Sequence, residues 1–282
     1  MKLKVFFSLL VGLSLAACSP LDKARNLAKE GQKEEAAQIA LELLKDKEAS
    51  TRAEAAQLLG ELKVENAAKP LLNLLDDPDL AVQKAAVTSL GEIGSQEVMF
   101  EVISKFPRAN YKVVPAYQKA LDKLNAGKFI VADWNNPKLP DGVREDYVFT
   151  LKNLPSVPTE GLIQLVKERY TGANKPLLDI LVKNQAVDLS PLLVDYLVQG
   201  NLNDIEPIIL SLAERDSRMI EQLVSALDKH QGTQQDKLLV VLGDIGGRAE
   251  MAVPKLVAMS NGTGNLDQQK RLNQTLKKIR GF

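Results

Sequence analysis

The sequence predicts an all-α protein, an alpha-alpha superhelix of stacked helix pairs divided into two arms. Aromatic residues make up only 5% of the 282 residues, while Leu, Ala, Val, Glu, Lys and Gln crowd the chain. That composition suits amphipathic helices better than strands. Apolar residues recur at helical spacing, as in Val143, Tyr147, Leu151 and Leu154, which is the stripe of a half-buried helix. One stretch also repeats: Arg52-Ala-Glu-Ala-Ala-Gln-Leu-Leu-Gly60-Glu-Leu returns as Gln83-Lys-Ala-Ala-Val-Thr-Ser-Leu-Gly91-Glu-Ile, a step of 31 residues. Repetition at that period means helix pairs that bury their apolar faces by stacking on one another.

The first element is a leader over 1–17. Met1 to Lys4 is short and basic, and the 13 residues Val5 to Ala17 form an apolar run that ends in Leu15-Ala16-Ala17-Cys18. As a helix such a run rises about 20 Å, well short of a hydrocarbon core of roughly 30 Å, so it fits a cleaved secretory signal better than a span. Leu-Ala-Ala-Cys resembles the bacterial lipobox. The resemblance implies that Cys18 carries a lipid on its sulfur, that the leader is cut just before it, and that acyl chains then hold the protein on its membrane. Ser19, in the place where Asp would favour the inner membrane, implies delivery to the outer membrane, facing the periplasm. Cys18 is also the only cysteine, so an exported chain has no internal disulfide available.

The second element is an amino-terminal arm of helical repeats over 18–128. Ala55, Ala56, Ala85 and Ala86 let helices approach closely, while Leu58, Leu59, Leu62, Leu90 and Ile93 fill the layer between units. Gly60 and Gly91 relieve crowding on the last turn or begin its termination, and Asp77 before Pro78 is suited to cap the following helix. Asp-Pro followed by Val-x-x-Ala-Ala-x-x-Leu-Gly-x-Ile-Gly is similar to the HEAT-like repeat of bacterial scaffolds and phycobilin lyases. The similarity runs over 46–125, with a weaker third copy in Tyr111 to Leu124 and a distant one at Leu239-Val-Val-Leu-Gly243-Asp-Ile-Gly-Gly. Upstream, Ala24, Leu27, Gly31 and Ala36 with Ala40 to Leu44 resemble one tetratricopeptide hairpin, which would cap the stack.

From Phe129 to Gly142 the periodicity breaks at Trp134-Asn-Asn-Pro137 and Leu139-Pro-Asp-Gly142, as expected of an irregular connection. A carboxy-terminal helical arm is then expected over 143–282. Its helices begin after Gly142, after Thr159, at Ser190-Pro191 and at Asp216.

The chemistry-bearing residues are few. His230 is the only histidine, and with no second histidine or cysteine beside it, a triad or zinc set has no other members. Asp76, Asp77 and Asp79 lack the spacing of a calcium loop, and Gly243-Asp-Ile-Gly-Gly247 has no Lys-Ser/Thr. Neither a cofactor nor a metal is expected. Lys plus Arg and Asp plus Glu both number 36, so no overall field favours nucleic acid, leaving room only for a local patch.

The expected function is therefore a non-enzymatic scaffold or adaptor that binds an envelope protein through a helical-repeat groove. Two alternatives are a peptidoglycan- or glycan-acting envelope enzyme and a chromophore-handling protein of the lyase branch. The expected contact surface is the row Asn66, Lys69 and Asn73 on one second helix, with Glu97, Phe100 and Glu101 on the next. The HEAT resemblance places such second helices on the concave side. Phe100 has two readings at this point: an exposed interface anchor, or a ring packed under the next unit.

Overall fold

The computed structural model describes residues 19–168, 174–184, 188–200 and 202–281, and all their regular structure is helical. The leader and Cys18 lie outside the described residues. Contacts divide the chain into two compact units, the first within Met1–Gly127 and Lys138–Ser156, the second within Lys128–Pro137 and Val157–Phe282.

In the first unit, α1 (Pro20–Lys29) and α2 (Lys33–Leu43) form a hairpin. The pairs α3 (Ala49–Glu61) with α4 (Ala68–Asn73) and α5 (Leu80–Ile93) with α6 (Met99–Lys105) follow, then α7 (Val114–Lys123). The first helices α3, α5 and α7 lie side by side in series. They approach closely because of the glycines. A Cβ on Gly60 would sit 2.8 Å from Ser89 Cα, and one on Gly91 would sit 2.8 Å from Ala120 Cα. Neither space exists for a side chain, so the repeated glycine is a contact residue between successive repeats of the first unit. Leu59, Leu71, Leu90, Ile103 and Leu121 are fully enclosed in the resulting core.

The helix ends carry the same period in their backbone. Gly31, Lys63, Gly94 and Asn125 all have positive φ, at 86°, 53°, 77° and 58°, and they follow α1, α3, α5 and α7 at steps of 31 or 32 residues. After α3, the Lys63 N–H donates to the Gly60 carbonyl at 3.0 Å and the Val64 N–H to the Leu59 carbonyl at 3.1 Å. This satisfies carbonyls that the helix leaves open. The step matches the sequence repeat, but only two of these four residues are glycine.

Two expectations change here. Asp77 does not cap α5. Pro78 holds the residue before it extended, with ψ 140° at Asp77, so the helix starts two residues later and Asp79 caps it, accepting from the Ala81 and Val82 N–H groups. Asp77 is instead buried against Arg52, which donates to both its oxygens at 2.8 and 2.9 Å. Through its third nitrogen Arg52 also donates to the Asp46 and Lys47 carbonyls. One guanidinium thus ties the loop before its own helix to the loop before the next.

The second change concerns the expected connection over 129–142 and the arm over 143–282. The chain is helical through Asp133 in α8 (Ala126–Asp133), and Trp134 is buried with its indole N–H donating to Asn174 Oδ1 at 3.0 Å. The irregular part is therefore shorter. Moreover α9 (Val143–Asn153) belongs to the first unit, packing on α6 and the turn after it. The physical reason is aromatic and polar matching. Phe149 meets Phe106 edge to face at 5.2 Å, Phe106 stacks on Tyr117 at 5.5 Å, and Asp146 receives Arg108.

The second unit holds α10 (Thr159–Glu168), α11 (Lys175–Asn184), α12 (Ser190–Gln199), α13 (Leu202–Ala213), α14 (Ser217–Ala226), α15 (Thr233–Ile245), α16 (Val253–Gly262) and α17 (Leu266–Arg280). Asp216 caps α14 through the Arg218 N–H, and Thr159 begins α10. The distant repeat copy forms α15, and α17 packs against both α15 and α16. Leu238, Leu242, Leu256 and Leu272 close that end of the core.

Candidate functional site

In the first unit the expected contact row is solvent-facing. Asn66, Lys69 and Asn73, on α4 and the turn before it, are exposed, as are Glu97 and Glu101 around α6. α4 is only six residues long and is flanked by 3-10 turns at Glu65–Ala67 and Leu74–Asp76. Its buried side is Ala68 and Leu71, which leaves the polar side free.

The row is joined across repeats by charge. Lys69 pairs with Glu97 at 2.5 Å, with both side chains mostly exposed, and Lys105 pairs with Asp76 at 2.5 Å. The hydrogen bond that Lys69 donates to Glu97, with the charge of that carboxylate, holds the Lys69 ammonium above its ordinary range. Exposed pairs of this kind contribute little stability, on the order of 0–1 kcal/mol; they set the pattern of charge that a partner meets. Phe100 is half-buried. It therefore fits neither sequence reading in full: part of the ring is packed and part is open.

Beside this row lies a feature that the repeat alignment did not reveal, a groove of about 480 Å³ between α2 and the turn after α3. Ala37, Leu41, Leu62 and Val64 supply its apolar surface, while Lys33, Glu34, Gln38, Lys63 and Asn66 stand on its rim, a mixture of both charges. Asn66 is the residue common to groove and row. Lys63, whose backbone is in the left-handed region, is one of its rim residues. The missed signal was present in the sequence: at the position where the other helix ends have Gly31, Gly94 and Asn125, this one has lysine.

The other chemistry-bearing residues make contacts within the protein. His230, near the end of α14, shares a hydrogen bond between its Nδ1 and Gln234 Oε1 at 3.1 Å. Asp76 pairs with Lys105, Asp77 with Arg52, and Asp79 caps α5. In the second unit, burial and a hydrogen bond to Asp244 hold the Glu206 carboxyl above the usual carboxylate range, with Lys278 pulling the other way. The second unit also contains an apolar cleft of about 500 Å³ between α8 and α10, lined by Val131, Ala132, Val157, Pro158 and Gly161.

Residues 37–102 match the family model described as HEAT repeats. The pairs α3 with α4 and α5 with α6 are thus HEAT repeats, within an all-α, HEAT-like superhelical fold. No curated protein matches the chain. Among solved structures it is similar to a chain of the CpcE–CpcF phycocyanin lyase complex from Nostoc sp. PCC7120, at 16% identity and a TM-score of 0.34, covering 86% of this chain and 94% of that one. It is also similar to human deoxyhypusine hydroxylase in complex with glycerol, at 17% identity and a TM-score of 0.31, covering 93% and 89%. Neither superposition is close enough to carry a function across.

Proposed function

We propose that this chain is a non-catalytic, lipid-anchored envelope protein that captures a protein partner on the second-helix face of its first unit. The observation that carries the reading is the open groove beside the row Asn66, Lys69, Asn73, Glu97, Phe100 and Glu101. An apolar floor with polar and charged residues around it is the usual make-up of an interface core and rim. Leu41, Leu62 and Val64 would receive apolar side chains of the partner, and Lys33 and Lys63 a carboxylate beside them. Phe100, part packed and part open, supplies a pre-ordered ring at the far end of the same face. The reading needs no cofactor, metal or nucleic acid.

The anchor half of the reading is supported by Leu15-Ala16-Ala17-Cys18 and by Ser19, which point to an acylated Cys18 at the outer membrane, facing the periplasm. It is tested by labelling cells with a radioactive or clickable fatty acid. Label on the wild-type protein and none on Cys18→Ala is the expected result; membrane fractionation of unlabelled Cys18→Ala would remove the anchor.

The capture half is tested with a photo-crosslinking residue at Asn66 in intact cells. A discrete adduct is expected there, weakened at least tenfold by Phe100→Ala or Leu41→Ala, and absent when the crosslinker stands at exposed Lys84. Equal adducts at both positions would show that the groove has no privileged partner.

A further inference from the structure

The chain balances 36 basic against 36 acidic residues, yet residues 246–282 contain seven Lys or Arg and only two Asp or Glu. Charge gathered in one segment of a chain that is neutral only as a whole points to a local electrostatic partner. The structure shows how that charge is displayed. Leu272, Thr275, Leu276 and Ile279 are buried, and the Thr275 hydroxyl donates to the Leu239 carbonyl at 3.1 Å, so α17 is seated firmly by one face. On the opposite side Lys270, Asn273, Lys277 and Arg280 recur at i, i+3, i+7 and i+10, all exposed, and so form one stripe.

Two other basic residues of the helix are engaged within the protein: Arg271 pairs with Asp236 and Lys278 with Asp244, each at 2.7 Å. Lys270, Lys277 and Arg280 take no side-chain partner among the described residues. Two plain explanations cover part of this. The end of a helical stack needs a polar outer face, and cations in a last turn complement the helix dipole. Polarity alone does not require so one-sided a helix, however: α17 carries five basic residues against Asp267 alone, whereas the hairpin α1 with α2 mixes four basic with four acidic residues. The dipole accounts for Lys277 and Arg280 but not for Lys270, which lies in the first half of α17.

We propose that the outer face of α17 docks on an anionic, phosphate-bearing lipid surface. A row of three unpaired cations on a rigid helix suits a plane of phosphates, each such residue adding a small attraction at the surface. Single-stranded nucleic acid is disfavoured, because α17 has no aromatic side chain on which a base would stack. The proposal rests on the lipid-anchored reading only in that the anchor keeps a membrane at hand.

The test uses residues 19–282, which hold every described helix and lack Cys18, so vesicle binding reports on α17 and fatty-acid labelling reports separately on the anchor. Vesicles of phosphatidylcholine are compared with vesicles containing about 30 mol% phosphatidylglycerol at low salt. Expected are a partition at least tenfold higher onto the anionic vesicles, its loss at high salt, and a roughly tenfold or greater loss in Lys270→Gln/Lys277→Gln/Arg280→Gln. A control, Lys29→Gln/Lys84→Gln/Lys119→Gln, removes the same charge from exposed sites elsewhere and is expected to lose under about threefold; circular dichroism confirms that both variants are folded. Equal partition onto both vesicle types, equal losses in the two triple variants, or tighter binding to a short DNA duplex than to vesicles would each overturn the proposal.

Discussion

Gly91 and Lys63 show how one residue can serve the repeat in opposite ways. Gly91 has the side chain the stack demands, none, because Ala120 of the next repeat fills the place where a Cβ would lie. Gly91→Ala is therefore expected to cost about 1–3 kcal/mol through overpacking, measured by urea unfolding. A neutral result would mean that α5 and α7 slide apart freely. Lys63 carries a Cβ where left-handed backbone disfavours one, at a cost of about 1 kcal/mol. Lys63→Gly should raise stability by about 0.5–1 kcal/mol while weakening partner capture at the groove; a gain in both would separate the lysine from binding. Asp77 adds a pH dependence. Burial pushes its carboxyl up, but the hydrogen bond from Arg52, the Asp79 N–H and the Arg52 charge outweigh that and hold it below the ordinary 3.8. A folded pKa below the unfolded one contributes stability that is present above about pH 4 and lost as pH falls through the folded value. Asp77→Asn should thus flatten the stability curve below pH 4 while leaving its shape above pH 5 unchanged.

At the scale of the helix, the sequence was most legible where packing repeats. Leu90 is fully buried and Lys84 exposed, as the apolar stripe of α5 required. Leu90→Ala should cost on the order of 2–5 kcal/mol and Lys84→Ala under about 0.5; equal losses by chemical denaturation would put the helix face in the wrong place. Legibility fell where a contact joins residues that no local pattern links. The start of α5 was misplaced by two residues because Asp77 and Asp79 are both credible caps, and only the Arg52 contact decides between them. The groove beside α2 was invisible for a related reason. Its floor comes from a helix with a weak apolar stripe and from a turn whose geometry depends on the backbone of a lysine. The polar row over Asn66, Lys69 and Asn73 was readable from spacing alone, whereas the half-burial of Phe100 depends on what surrounds α6.

At the scale of the whole chain, the boundary drawn from Trp134-Asn-Asn-Pro137 was the least accurate expectation, because turn residues mark where helices stop but not where units do. Residues 128–137 belong to the second unit, and 138–156 return to the first. A fragment covering residues 19–128 should consequently be less stable than one covering 19–156, with a lower melting temperature and stronger binding of a hydrophobic dye, since it lacks the helix that covers Phe106. Equal melting would make α9 dispensable. The same interleaving sets a timetable for synthesis. A ribosome delivers residue 127 before it delivers the last part of the first unit at residue 156, a delay of roughly 1.5 to 6 s at 5–20 residues per second. During that interval the nascent chain holds Phe106 without Phe149, and it has already begun the second unit with a tryptophan whose partner has not yet been made.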